Sequence, residues 1–232
     1  MLDRVTHPRP VPEGRWRFEP RLADADGVVG AGADLDAGTL VAAYRRGVFP
    51  WPHEGLPLLW FSPDPRAVIP PAEVHVSRSL RRRLRGCGWT TTLDRALPEV
   101  MSGCADRDGT WITAEMRRAY AALGELGWVR SLEVWEDGLL VGGVYGVQVG
   151  GVLTAESMFH RRTDASKVAL VDLCTRLDEA GGVLLDAQLP TPHLRSLGAV
   201  TLERDAFLRV LAEHRDRPVL PVRSELPVRR LA

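Results

Sequence analysis

Residues 131–159, SLEVWEDGLLVGGVYGVQVGGVLTAESMF, decide the fold. Runs of β-branched, aromatic and aliphatic residues mark three strands, separated by two short breaks, Asp137-Gly138 and Gly150-Gly151. A two-residue break sends the chain straight back, so the segment reads as a three-stranded antiparallel meander. Upstream, Thr113 is placed to cap a helix carrying Met116, Tyr120, Leu123 and Leu126 at helical spacing, ended by Gly127. Downstream, Asp164 is placed to cap a long apolar helix with Val168, Leu170, Val171, Leu173 and Leu177, ended by Gly181-Gly182. The strand that follows, GVLLDAQ at 182–188, must cross over and lie parallel to the sheet. Thr191-Pro192 opens a short helix ended by Gly198, AVTLER is a further strand, and Asp205 opens a last helix with Phe207, Leu208 and Leu211.

The N-terminal part is less regular. The first 30 or so residues are rich in Pro, Arg and Gly without periodicity and read as an irregular arm, as does the tail after His214. Asp36 is placed to cap a short helix with Leu40, Val41 and Tyr44, stopped by Gly47. VFPWPHEGLPLLWFSPDPR at 48–66 reads as ordered loop, because Phe49, Trp51, Trp60 and Phe61 are too apolar for free coil. A helix runs from Ser77 to Gly86 with Leu80 and Leu84 facing inward and arginine on its other faces.

Composition narrows the function classes. With 232 residues, 45% of them hydrophobic, the chain buries a real core. Its 30 basic and 30 acidic residues balance, which speaks against a general nucleic-acid binder, so any RNA contact has to come from a local patch. Cys87, Cys104 and Cys174 are odd in number and show no CxxC spacing, which speaks against a disulfide framework or zinc site and for a reducing compartment. No apolar leader or membrane-length run is present, so a soluble, unexported protein is expected. Neither HExxH, GxSxG nor a phosphate-binding GxxxxGK[ST] occurs, and the six histidines are scattered. No metal or cofactor is expected.

Polar residues in apolar strands are the candidates for chemistry. Alternation puts Asp186 and Gln188 on one face of their strand, about 6–7 Å apart, at the C-terminal end where open sheets place ligands. Glu156 sits in the apolar run VLTAESMF, a second carboxylate that needs partners or a task. Arg78, Arg81, Arg82, Arg83 and Arg85 crowd one helix without alternating acids, which reads as a phosphate-contacting patch. Arg161, Arg162 and Lys167, the lone lysine, make a weaker cluster. Trp51, in a Pro-flanked loop, and Trp111, at a loop-to-helix junction, are placed to stack on a base; Trp60 is a third candidate.

The helix, three strands, helix, strand, helix, strand order is that of N-acyltransferase folds. Specific segments sharpen the likeness: Gly32-Ala-Asp-Leu35, Tyr44-Arg-Arg-Gly-Val-Phe-Pro-Trp51, Trp60-Phe-Ser-Pro-Asp-Pro-Arg66, Ser77-Arg-Ser79, Gly109-Thr-Trp-Ile-Thr113, Ser131-Leu-Glu-Val-Trp135, Gly142-Gly-Val-Tyr-Gly146, Glu156-Ser-Met-Phe159, Ala165-Ser-Lys167, Asp186-Ala-Gln188 and His193-Leu-Arg-Ser-Leu-Gly-Ala199. From about Gly32 to Leu211 the chain resembles the bacterial leucyl/phenylalanyl-tRNA-protein transferase family. The resemblance implies an α+β fold: an N-acetyltransferase-like mixed sheet with helices on both faces at 63–232, and a small N-terminal domain with the irregular arm at 1–62. It implies transfer of Leu or Phe from Leu-tRNA or Phe-tRNA to proteins starting with Arg or Lys, marking them for degradation; the reducing, unexported compartment read above is the cytoplasm, and nothing in the sequence demands more than a monomer. It assigns catalysis to Asp186, Gln188 and Glu156, the tRNA 3′-adenosine contacts to Trp51 and Trp111, and the side-chain pocket to Val144, Leu153, Met158 and Leu170. Val144 and Leu153 are smaller than the Met and Phe common there, so a roomier pocket is expected.

The mechanism that follows is aminolysis of an activated ester, in which positioning contributes more than proton abstraction. The Gln188 amide oxygen accepts a hydrogen bond from the attacking amine, Asp186 orients Gln188 and helps carry the developing charge, and Glu156 holds the cationic acceptor or the donor ribose. Two other readings stand beside this one, an acyl-CoA-dependent N-acetyltransferase and a non-catalytic RNA-binding protein. The first needs a glycine-containing phosphate cradle where the chain has His160-Arg-Arg-Thr-Asp-Ala-Ser-Lys167.

Overall fold

The computed structural model describes residues 3–232. In chain order the elements are β1 (Val28–Ala31), α1 (Ala37–Tyr44), β2 (Phe49–Trp51), β3 (Leu59–Phe61), β4 (Arg66–Ile69), α2 (Arg78–Gly86), β5 (Thr90–Leu93), α3 (Leu97–Ala105) and α4 (Ala114–Glu125). They continue with β6 (Val129–Glu136), β7 (Leu139–Val149), β8 (Val152–His160), α5 (Ala165–Glu179), β9 (Leu184–Gln188), α6 (Pro192–Ser196), β10 (Val200–Leu202), α7 (Arg204–His214) and β11 (Leu226–Pro227).

The meander forms as its turns dictate. Asp137 and Gly138 both take positive φ, 50° and 79°, the geometry that closes a two-residue hairpin between β6 and β7. Helix α5 then carries the chain over one face so that β9 lies parallel to β8, from Val152 opposite Leu184 to Thr154 opposite Asp186. The large sheet has the order β10-β4-β9-β8-β7-β6-β5-β11, and every pair in it except β8–β9 is antiparallel. A second, three-stranded sheet has the order β1-β3-β2.

Helices cover both faces of the large sheet. One core joins α1, α3, α4, α7 and the small sheet through Tyr44, Trp60, Val100, Tyr120 and Phe207. The other joins α2 and α5 through Leu80, Leu84, Val168, Leu173 and Leu177. Ser77, Thr113 and Thr191 cap α2, α4 and α6, each accepting a hydrogen bond from a backbone N–H of the first turn.

Several expectations need correction. The stretch 48–66 holds β2 and β3, short strands that pair with each other, while β1 from outside the stretch pairs with the free edge of β3. Asp36 and Asp164 stand at cap positions without capping: Asp36 pairs with Arg15, and Asp164, at φ 71°, accepts from Lys167. The last helix begins one residue early, at Arg204. The arm and tail are not loose; Arg4 donates to the Leu220 carbonyl, Val5 N–H to Pro221, and Val5, Val219, Val222 and Val228 are buried. Alternation cannot show this, because it arises from contacts some two hundred residues apart.

Close backbone approach fixes the meander where it meets the site. A Cβ at Gly146 would lie 2.2 Å from the Thr154 carbonyl oxygen and 3.0 Å from the Ala155 Cα, both backbone atoms that cannot yield separately. Gly146→Ala is expected to lower the unfolding free energy by about 2 kcal/mol or more, read as a reduced urea midpoint with unchanged slope.

Candidate active site

Strands β8 and β9 pair as far as Thr154 and Asp186 and then part. Strand β8 runs on to His160 against β7, while β9 ends two residues later at Gln188. Glu156 and Gln188 stand at the mouth of this opening, the Gln188 Nε2 donating to Glu156 Oε1 at 3.2 Å.

Asp186 is fully buried and fully engaged. Arg66 grips it with two bonds, Nε to Oδ1 at 2.8 Å and Nη2 to Oδ2 at 2.7 Å. Thr154 Oγ1 donates to Oδ2 at 3.0 Å and the Gln188 backbone N–H to Oδ1 at 2.9 Å. With four hydrogen bonds in all, two of them from the guanidinium, this carboxylate has no place for a substrate. Its contact with Gln188 is to the backbone N–H and not to the side-chain amide, and its four bonds leave no oxygen turned toward an incoming amine.

The alternation predicted for β9 stops at Gln188. Its φ is 63° and the Leu189 N–H donates to the Ala187 carbonyl at 2.7 Å, so Gln188 is the centre of a γ-turn, a strained conformation for a residue with a side chain. The turn swings the amide into the opening. Since Nε2 is committed to Glu156, the amide oxygen is the atom left to accept a hydrogen bond from a ligand.

Glu156 reaches this position through a bulge. Tyr145 faces Ser157 and Gly146 faces Ala155, so Glu156 is the extra residue on β8. Tyr120 Oη donates to Glu156 Oε2 at 3.3 Å, and Tyr44 and Tyr120 share a hydrogen bond of 2.5 Å. Burial pushes the Glu156 carboxyl up to about 8; hydrogen bonds from the tyrosines oppose the rise and the negative Asp186 adds to it. Burial, reinforced by Glu156, raises Tyr44, Tyr120 and Tyr145 far above the ordinary phenol range, so they stay protonated donors. Another buried acid, Glu133, is raised to about 7 but is structural, accepting from Thr92, Ser131 and the Ala96 N–H.

Two clefts share the Glu156–Gln188 pair. An apolar one of about 270 Å³ is walled by Val144, Ala155, Met158, Leu170, Ala187 and Leu194, with Arg107, Ser157 and Thr191 at its polar positions. The bulge explains why Ala155 and Met158, three residues apart, line the same space. Leu153, also expected there, is wholly buried among core residues and does not line it; the smaller side chain at that position therefore does not widen this cleft. The second cleft, about 80 Å³, is aromatic: Phe49, Pro50, Trp51, Trp111 and Leu189 close on Glu156 and Gln188. Trp60 is excluded from it, buried with its Nε1 donating to the Gly32 carbonyl at 2.8 Å. A larger cleft of about 470 Å³, between the arm and α4, contains none of the predicted residues.

All five arginines of α2 are exposed. Arg83 lies 3.9 Å from Asp164, and among the described residues Arg78, Arg81, Arg82 and Arg85 meet no acidic side chain. Helix α2 rests on the tail, whose Val228 N–H donates to the Trp89 carbonyl. Arg66, Thr154, Tyr44 and Tyr120 were not singled out from sequence. For Arg66 a signal existed, an arginine opening the otherwise apolar strand Arg-Ala-Val-Ile.

Known proteins share this sequence over most of its length. The family described as leucyl/phenylalanyl-tRNA protein transferase matches residues 68–212, and its N-terminal domain matches residues 33–64. The chain is 52% identical over 205 residues to a leucyl/phenylalanyl-tRNA–protein transferase of Stutzerimonas stutzeri, covering 87% of this chain and 91% of that protein. The chain belongs to the leucyl/phenylalanyl-tRNA protein transferase family. A like-named protein of Chromohalobacter salexigens is 50% identical over 87% of this chain and 80% of its own length. Among solved structures, a GCN5-related N-acetyltransferase from Kribbella flavida is similar at a TM-score of 0.40 and 14% identity, over 71% of this chain and 60% of that one. Family membership makes the chain an aminoacyltransferase. No helix among the described residues is long and apolar enough to cross a membrane.

The raised carboxyl of Glu156 has a measurable consequence for stability. Between about 4.5, its ordinary value, and about 8 the folded protein keeps this proton while the unfolded chain has lost it, so stability falls as pH rises through that window. Glu156→Gln removes the effect, and Glu133 titrates alike in both proteins. Urea unfolding at about pH 5 and about pH 9 is expected to show the parent losing roughly 2–4 kcal/mol more than the variant.

Proposed function

We propose that this protein moves Leu or Phe from Leu-tRNA or Phe-tRNA to the N-terminal amine of proteins beginning with Arg or Lys, marking them for degradation, and that it works in the cytoplasm as a monomer. The observation that carries the reading is the meeting of an aromatic cleft and an apolar cleft at one carboxyl–amide pair. An aminoacyl-tRNA end has a matching shape: a purine, a scissile ester and an apolar side chain in sequence. The terminal adenine stacks between Trp51 and Trp111, the Leu or Phe side chain enters among Val144, Met158 and Leu170, and the ester lies beside Gln188. Residues 1–62 form the small N-terminal domain, which supplies Trp51, and 63–232 the catalytic one.

The acceptor amine attacks the ester carbonyl, the carbon–nitrogen bond forms, the bond to the ribose oxygen breaks, and the amine's proton goes with that oxygen. A neutral amine is available near physiological pH, where an α-amine has a pKa of about 7.7–8.0. The Gln188 amide oxygen aims it. Glu156, poised near neutrality and next to Gln188, faces the cationic acceptor or the ribose. The exposed arginines of α2 take acceptor-stem phosphates without reading sequence.

An acyl-CoA enzyme is disfavoured by the start of α5. Asp164 places a carboxylate there, where a pyrophosphate would need free N–H groups.

The purified protein mixed with Leu-tRNA or Phe-tRNA is expected to add one residue to a peptide beginning with Arg and none to one beginning with Ala, followed by mass. Binding of tRNA without transfer to either peptide would leave the RNA-binding reading standing. Neutralising Arg81, Arg82 and Arg83 together is expected to reduce the slope of log affinity against log salt by roughly 2–3 and to raise the KM for aminoacyl-tRNA. Parental salt dependence would remove α2 from the interface.

A further inference from the structure

Arg66 is the one buried guanidinium beside the reacting region, and the mechanism above gives it no part. It is 1% exposed, and every partner it has is a fixed one. Its fork holds both oxygens of Asp186, and Nη1 donates to the Gly47 carbonyl at 3.2 Å. Its plane sits between Phe49, 4.9 Å from the ring centre, and Phe207 of α7 at 4.6 Å.

These contacts join two parts of the site. On one side, Gly47 and Phe49 lead into Pro50 and Trp51, the wall of the aromatic cleft. On the other, Asp186 accepts from the backbone N–H at the centre of the strained γ-turn that presents Gln188. A conformation of this kind persists only where its surroundings over-determine it. The Asp186 carboxylate provides that constraint, and Arg66 fixes the carboxylate.

From this geometry we infer that Arg66 is a positioning residue for the transfer step: through Asp186 it holds the Gln188 turn in register with the aromatic cleft. The inference rests on the catalytic reading of Gln188. A buried ion pair of this kind adds little net stability, since an apolar pair of similar volume often replaces it without loss. Its value here is geometric. Lysine cannot reproduce it, because an ammonium is a point donor where the guanidinium is a rigid two-pronged one.

The test is a kinetic double-mutant cycle on the full-length protein, with Leu-tRNA as donor and an Arg-initiated peptide as acceptor. Arg66→Lys is expected to lower kcat by about tenfold or more with the peptide KM within about threefold. Because Arg66 acts through Gln188, the same change made in a Gln188→Ala background should alter kcat by less than about twofold. The combined R66M/D186L variant removes both charges but leaves the Thr154 hydroxyl and the Gln188 N–H unpaired; it should still unfold in one cooperative urea transition, at a lower midpoint, and turn over slowly. An Arg66→Lys effect of equal size in both backgrounds would overturn this inference alone, as would parental kcat in R66M/D186L. Parental kcat in Gln188→Ala would overturn it together with the catalytic reading.

Discussion

The buried pair of Arg66 and Asp186 is the constraint on which the site depends. Two charges withdrawn from water are tolerable only when every donor and acceptor is satisfied, and here the carboxylate accepts four bonds while the guanidinium also reaches the Gly47 carbonyl. Meeting that demand draws together β4, β8, β9 and the turn after α1, with Phe207 of α7 stacked on the guanidinium. The parting of β8 and β9 follows directly beyond the pair, so the opening lies against a point of the sheet that five hydrogen bonds hold in place.

Local departures from regularity then shape the opening. A bulge brings Glu156 round and puts Met158 on the face of Ala155, and a γ-turn swings Gln188 away from the alternation of its strand. The two tyrosines behind Glu156 stay protonated; Tyr120, itself bonded to Tyr44, fills one carboxyl oxygen, while Gln188 fills the other. A carboxyl pushed up to about 8 in this enclosure changes charge close to physiological pH, a sensitivity that an exposed glutamate lacks.

Much of the fold was legible because its signals are local. The Asp137-Gly138 turn, the threonine caps at 113 and 191 and the apolar period of α5 each state their own conformation, and together they imply the parallel β8–β9 pair. What stayed hidden is held by distant partners. Strand β5, rich in threonine, is a strand because β6 and β11 flank it, and the arm is ordered because the tail accepts its hydrogen bonds. The site divides the same way. Asp186, Gln188 and Glu156 stood out as polar groups in apolar strands, but Arg66 lies 120 residues from its partner, and its role has no local trace beyond a charge at the head of a buried strand. Leu153, which the resemblance assigned to the side-chain pocket, lies instead at full depth in the core, a difference that a matching motif does not carry.

The sharing of one carboxyl–amide pair by two separate clefts also bears on handedness. On the proposed pose, the donor's Cα has its side chain held in the apolar cleft and its carbonyl held toward the aromatic one, both fixed by the same wall. Only the hydrogen and the amine remain to exchange places. In a mirror-image residue the amine would point where the hydrogen had been, so the two hands present it to different surroundings. On that pose, selection of the donor's hand would follow from the layout of the two clefts alone.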